Sequence, residues 1–131
     1  MVRIVVDTSA LMAIALREPE AGRCITALSD ADEVLIAAPT LTETLIVATG
    51  RNILEAMQGA LDGLAPTVID LTAKRAAAAA AAYRDYGKGW HAAGLNFGDC
   101  FAYATAREHS CPLLYVGEDF AKTDIATALR A

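Results

Sequence analysis

The sequence predicts an α/β fold: a central, mostly parallel sheet of about four to five strands flanked by helices. Short β-branched runs alternate along the whole chain with segments of helical periodicity, as in strands joined by crossover helices. The strand-like runs are apolar throughout, which suits strands covered on both faces. The chain has 131 residues, 55% of them apolar and 21% charged, enough for one domain with a real core and too few for two ordinary ones.

Ile4, Val5 and Val6 form the first such run, with no turn residue inside it. Asp7 follows at once, then Thr8 and Ser9, both good helix-capping types. Residues 3–11 thus run strand, carboxylate, helix. Residues 9–16 read as a short helix broken at Arg17-Glu18-Pro19. Pro19 suits the first turn of a second helix, with Cys24, Ile25 and Leu28 on its apolar face. Residues 29–32 form a polar connection, and 34–37 are again a buried-strand pattern.

Pro39-Thr40 opens a third helix with Leu41, Leu45 and Ala48 on one stripe, ended by Gly50. Residues 52–64 place Ile53, Met57, Ala60, Leu61 and Leu64 at helical spacing, and Ala65-Pro66 breaks that helix. Residues 67–71 are the third strand. A long helix runs from Thr72 through the alanines to about Tyr86. Alanine is the strongest helix former and allows close packing, so the run reads as structural. Residues 87–94 are the one flexible segment, with three glycines, the only Trp and His91. A helix over 96–109 and a fourth strand over 112–116 follow, then a turn at 117–120 and a short tail. No repeat or linker interrupts the chain, so a single domain over 1–131 is expected.

Formal charge is −5, whereas binding nucleic acid by electrostatics alone calls for a basic surface. If the protein handles nucleic acid, cations or a partner must help. Cys24, Cys100 and Cys111 are odd in number and form no Cys-x-x-Cys pair, which fits a reducing cytosol and no disulfide framework. The first apolar residues are too few for a signal peptide, and the longest uncharged runs fall short of the roughly 20 residues of a membrane span. A soluble, cytoplasmic protein is expected.

Five acids stand at strand ends or helix starts. Asp7 ends the first strand, and Glu43 lies in the first turn of the helix after the second. Asp99 is early in the helix before the fourth strand, three residues after Asn96. Asp119 lies just past the fourth strand, with Asp124 five residues on. In a parallel sheet the carboxyl ends of the strands share one edge, so acids distant in sequence converge there. Oxygen-only ligands suit hard cations such as Mg²⁺ or Mn²⁺, one or two of which activate water against a phosphodiester. Each acid also has a structural reading. Thr40-x-x-Glu43 matches a capping box, which spacing alone favours. Asn96 and Asp99 match a helix start, Asp119 a turn, and Asp124 after Thr123 another cap. His91 and His109 are too far apart for a metal pair, and His109 reads as a late-helix cation. Lys88, Trp90 and His91 offer a cation for phosphate and an aromatic face for a base, though a solvated loop around one buried Trp reads equally well.

Val-Val-Asp7-Thr-Ser-Ala-Leu, Thr-x-x-Glu43, Leu-Asn96-Phe-Gly-Asp99-Cys-Phe-Ala-Tyr-Ala and Leu-Leu-Tyr-Val-Gly-Glu-Asp119-Phe-x-x-Thr-Asp124-Ile resemble the signature blocks of PIN-domain proteins. They are most similar to the VapC-type toxins of type II toxin–antitoxin modules, and the likeness covers the whole chain. The resemblance implies a PIN-like three-layer sandwich and a Mg²⁺- or Mn²⁺-dependent endoribonuclease. It further implies a homodimer, held inactive by a cognate antitoxin and reaching operator DNA only through it. Asp7, Glu43 and Asp99 match the family's metal-binding acids, Asp119 its fourth acid and Asp124 an accessory one. Ser9 and Asn96 match polar neighbours that support the site.

Rival enzymes fit less well. An aspartyl-nucleophile phosphatase wants an acid where Ser9 stands, and a phospho-receiver wants an acidic pair beside the first strand. A non-catalytic PIN-like module that binds RNA or a protein is the alternative from another class. Its mark would be a missing acid, and none is missing.

Overall fold

β1 (Arg3–Val6) sits inside the sheet because Ile4, Val5 and Val6 are all buried. The computed structural model describes residues 1–129. β1 pairs in parallel with β2 (Glu33–Ala37) on one side and with β4 (Leu113–Leu114) on the other. β3 (Thr67–Ile69) adds to β2, giving the order β3-β2-β1-β4, parallel throughout. Past β4, Thr127 makes one parallel bridge to Leu113. That short pairing is all the described residues hold of a fifth strand.

Side chains alternate across the sheet and both faces are dry. Val5, Leu35 and Leu113 point into one core, packed by α5 (Ala73–Tyr86) and α6 (Phe97–Glu108). Ile4, Val6, Ile36 and Leu114 point into the other, packed by α1 (Thr8–Ala15), α2 (Ala21–Asp30) and α4 (Leu54–Leu64). The α5–α6 contact is built on Ala79 and Ala82 of the alanine run, whose small side chains let the helices approach closely. This is the predicted three-layer α/β arrangement. No helix among the described residues is long and apolar enough to cross a membrane. Cys24, Cys100 and Cys111 are free and buried.

Four local expectations change. Pro19 precedes α2 and does not lie in its first turn. Arg17 closes α1 with a left-handed φ of 54°, and Glu18 N–H donates back to Ala13, a Schellman ending that delays the next helix. Ser29 and Asp30 finish α2 and are not a polar link. In α3 (Ala38–Gly50) the buried stripe is Thr40, Thr44 and Ala48, whereas Leu41 and Leu45 are half-buried. The threonine face turns inward where the Thr44 hydroxyl meets Thr8 Oγ1 of α1 at 2.9 Å and the Thr40 carbonyl accepts from it at 3.4 Å. β3 and β4 are shorter than expected, and Val68 on the outer strand is 48% exposed.

Candidate metal centre

Asp7 occupies the N-cap of α1 with extended backbone. Its Oδ2 accepts from Ser9 N–H at 3.0 Å and from Ser9 Oγ at 2.7 Å. Ser9 Oγ accepts in turn from Val116 N–H at 3.0 Å, which ties the start of α1 to the end of β4. Asp7 Oδ1 is buried and has no hydrogen-bond partner among the described residues. A buried carboxylate oxygen without a donor is costly. Burial, reinforced by the charge of Glu43, pushes the Asp7 carboxyl up to about 6 against the pull of the Ser9 bonds.

Glu43 belongs to the second turn of α3, which starts at Ala38 with Ala37 in the cap position. Thr40 is therefore inside the helix, buried, with an unpartnered Oγ1, and the Thr40–Glu43 capping box does not form. Glu43 reaches across to α1 instead, where its Oε1 accepts from Thr8 Oγ1 at 2.8 Å. Thr8 Oγ1 lies 2.9 Å from Thr44 Oγ1, and Thr44 Oγ1 lies 2.9 Å from the Thr40 carbonyl. A relay in which Thr44 donates to Thr8 and Thr8 to Glu43 uses one proton from each hydroxyl. On its far side Glu43 lies against Gly98: a Cβ there would stand 2.2 Å from Oε2.

Asp99 is a cap and a member of the acidic group at once. Asn96 Oδ1 accepts from Asp99 N–H at 2.9 Å, and Asp99 Oδ2 accepts from Asn96 N–H at 3.0 Å. This capping box starts α6. Burial, then the charges of Asp7, Asp119 and Glu43, push the Asp99 carboxyl up to about 7. The structure thus brings Asp7, Glu43, Asp99 and Asp119 to one edge. Asp119 is exposed at the head of the 3-10 turn Phe120–Lys122, and its side chain makes no capping bond. Among the described residues, no three such groups already stand in a metal-ligating arrangement.

Asp124 turns elsewhere. Tyr103 Oη donates to its Oδ1, and Arg107 Nη1 lies 2.9 Å from its Oδ2. The carboxyl is held below its ordinary range, first by Tyr103 and also by Arg107.

The 87–94 segment is more tied down than its glycines predict. Gly87 bridges Leu95, and Lys88 N–H donates to Leu95 O at 2.9 Å. Trp90 Nε1 donates to Arg84 O at 3.1 Å, and its ring stands edge-on to Tyr83 at 4.8 Å. The indole is nevertheless 61% exposed, so no buried Trp organises this loop. Lys88 is exposed. His91 is half-buried against Tyr86, and its Nδ1 accepts from Ala93 N–H at 2.9 Å. His109 ends α6, with Nδ1 3.0 Å from the Thr105 carbonyl.

Sequence reasoning missed Thr8, Thr44 and Gly98, which aim and accommodate Glu43. The hydroxyl residue Thr8 directly after Asp7 was the available signal. Gly98 had none, since its neighbour lies on another helix. Phe97 was also passed over: it opens α6 two residues before Asp99 and is 79% exposed.

The PIN-domain family model matches residues 4–126. Ribonuclease VapC30 of Mycobacterium tuberculosis is 45% identical over 134 residues, covering 95% of this chain and 97% of the relative. The chain therefore belongs to the PIN-domain family and, within it, to the VapC ribonucleases. Solved toxin and toxin–antitoxin structures share the fold. The sarcin–ricin-loop-cleaving toxin VapC20 of M. tuberculosis superposes with a TM-score of 0.75 at 19% identity, covering 94% of this chain and 96% of that one. A toxin–antitoxin complex from Klebsiella pneumoniae gives 0.70 at 21%, covering 98% and 99%.

Proposed function

We propose that the chain is a divalent-metal-dependent endoribonuclease, the toxin of a type II toxin–antitoxin pair. The observation that carries this reading is the buried, unpartnered Oδ1 of Asp7, on an edge it shares with Glu43, Asp99 and Asp119. Oxygen donors alone, in a group that repels itself without a counter-charge, suit Mg²⁺ or Mn²⁺. Asp7, Glu43, Asp99 and Asp119 would hold the metal. When bound, the ion supplies charge neutralisation for an anionic phosphodiester and acidification of water.

The chain's own residues do the rest. Ser9 fixes the direction of Asp7 through two bonds to one oxygen. Thr8 aims Glu43, and the capping box sets Asp99 at a fixed point on α6. The exposed Lys88 and Trp90 offer phosphate and base contacts beside the site; His91 supports that loop through Tyr86 and Ala93. An acidic edge on a chain of charge −5 suits an antitoxin that reaches it with Arg or Lys. It also suits operator contact made by that antitoxin. A cytoplasmic homodimer made of a single PIN domain completes the reading.

The test is cleavage of a mixed RNA pool by purified protein with Mg²⁺, with Mn²⁺ and with EDTA. Cleavage is expected with either metal and lost in EDTA, and Asp7→Asn should abolish it while remaining folded. Cleavage unaffected by EDTA, or by Asp7→Asn, would refute the reading.

A further inference from the structure

We propose that Asp124 is a positioning residue: with Tyr103 and Arg107 it forms a clasp that holds the segment after β4 against α6 and so directs Asp119. This rests on the ribonuclease reading and departs from the accessory metal role that resemblance implies for Asp124.

Both oxygens of Asp124 are engaged, Oδ1 by the Tyr103 hydroxyl and Oδ2 by Arg107 Nη1 at 2.9 Å. Asp7, Glu43 and Asp99 each receive their anchoring bonds on one oxygen only: Oδ2, Oε1 and Oδ2. Asp124 is therefore held like a structural anchor, unlike the other acids.

Its partners lie on the right element. Tyr103 and Arg107 follow Asp99 on α6 at intervals of four residues, so they share its face of the helix. Tyr103 is buried, with its ring 5.5 Å from that of Tyr86 at the end of α5. Tyr86 in turn packs on His91 in the loop that carries Lys88 and Trp90. One carboxylate thus links the segment bearing Asp119 to the helix bearing Asp99 and, through aromatic contacts, to the loop. Among the described residues, Asp119 has no side-chain hydrogen bond to set its direction. What fixes it is Phe120 on one side, 3% exposed and 5.3 Å from the Tyr115 ring, and the clasp on the other. Between them, Thr123 Oγ1 donates to Phe120 O at 2.7 Å and accepts from Ile125 N–H at 3.2 Å, so strain or slack at residue 124 passes to residue 119.

Tyr103→Phe separates the alternatives, since it removes one hydroxyl and leaves the ring and the Asp124 carboxylate in place. The intact chain, Tyr103→Phe and Asp124→Ala are compared by RNA-cleavage kinetics in saturating Mg²⁺, by Mg²⁺-induced thermal shift, and by amide exchange over residues 117–125. Displacing a reacting group by about an ångström costs up to about a hundredfold in rate. We expect kcat to fall about tenfold in both variants, with KM within about twofold. Exchange should quicken over 117–125 and not in the sheet, and Tyr103→Phe should keep its Mg²⁺ shift. A purely structural role would lower the melting temperature and leave kcat unchanged well below it. Full kcat in Tyr103→Phe overturns the proposal. So does loss of the Mg²⁺ shift in Asp124→Ala alone, which would make Asp124 a ligand. If the intact protein cuts no RNA, the ribonuclease reading fails and exchange over 117–125 alone decides the clasp.

Discussion

Gly98→Ala tests the geometry of the site most directly, because the collision it creates is with one named group. A methyl at residue 98 would stand 2.2 Å from Glu43 Oε2, 2.7 Å from Cδ and 3.0 Å from Oε1. Glu43 is the flexible partner, so its carboxylate swings away and the 2.8 Å bond from Thr8 breaks. Two stability effects oppose each other. Alanine in place of glycine favours a helix by about 0.5–1 kcal/mol. The lost bond to a charged oxygen costs about 1.5–3 kcal/mol. The net is a loss of about 0.5–2.5 kcal/mol, a few degrees of melting temperature for a chain of this size. Activity should fall far more, about a hundredfold, because Glu43 leaves its place. In a Glu43→Ala background the methyl meets no carboxylate, and Gly98→Ala should then stabilise by about 0.5–1 kcal/mol. Thermal melts of the four proteins give the coupling, and single-turnover cleavage in Mg²⁺ gives the activity. Full cleavage by Gly98→Ala, or the same stability change in both backgrounds, would refute the contact.

Two further outcomes follow from the crowding of acids. Asp99→Asn keeps an oxygen for Asn96 N–H and gives up a helix-dipole contribution of about 0.3–1 kcal/mol. It also removes a carboxyl that burial and its neighbours push up to about 7. At pH 8 in EDTA it should melt at or above the intact protein. In Mg²⁺ the order should reverse, since the intact protein gains about 2.7 kcal/mol at a hundred times Kd; parallel shifts in both buffers would rule out a ligand role. The second outcome is a pH dependence. Asp7 rises to about 6 and Asp99 to about 7, each from 3.8, so the folded chain binds these protons more tightly than the unfolded one. Stability in EDTA is therefore highest near pH 4 as far as these two groups act, falls as pH rises through 6 and 7, and levels off above. For fully buried Asp7 the two-unit rise is worth about 3 kcal/mol. Urea melts from pH 5 to 8 check this, and a stability that climbs over that range in EDTA would contradict it.

The sheet was legible because its strands announce themselves: Ile4–Val6 and Val34–Ala37 are buried on both faces and need no tertiary information to be recognised. The edge that gathers the acids was legible for the same reason, since parallel strands end on one side. The buried stripe of α3 was not. Hydrophobic periodicity selects Leu41 and Leu45, whereas the packed face carries Thr40 and Thr44, where the Thr44 hydroxyl and the Thr40 carbonyl meet Thr8 Oγ1 of α1. Glu43 was ambiguous because a capping box and a cross-helix acid share the same local spacing. Only the position of Ala38 as the first residue of α3 separates them. Gly98 was beyond reach from sequence, as its constraint comes from a side chain on another helix.

The choice between cap and ligand, posed by each acid in the sequence, is not exclusive in the folded chain. A carboxylate has two oxygens, and a cap needs only one of them. Asp7 gives Oδ2 to Ser9 and leaves Oδ1 unpartnered. Asp99 accepts from Asn96 through Oδ2, and Glu43 accepts from Thr8 through Oε1. The bond that starts a helix or joins two helices therefore also fixes the direction of the remaining oxygen. Asparagine at 7 or 99 can keep the anchoring oxygen but loses the second anionic one. A set of acids built this way pairs stability with function unevenly: removing the whole side chain disturbs the fold, whereas removing only the charge relieves repulsion. Alanine and asparagine at residue 99 should thus move stability in opposite directions without metal, and both should abolish cleavage. If alanine were as stable as asparagine in EDTA, the capping bond would contribute nothing, and the double use of the carboxylate would be wrong.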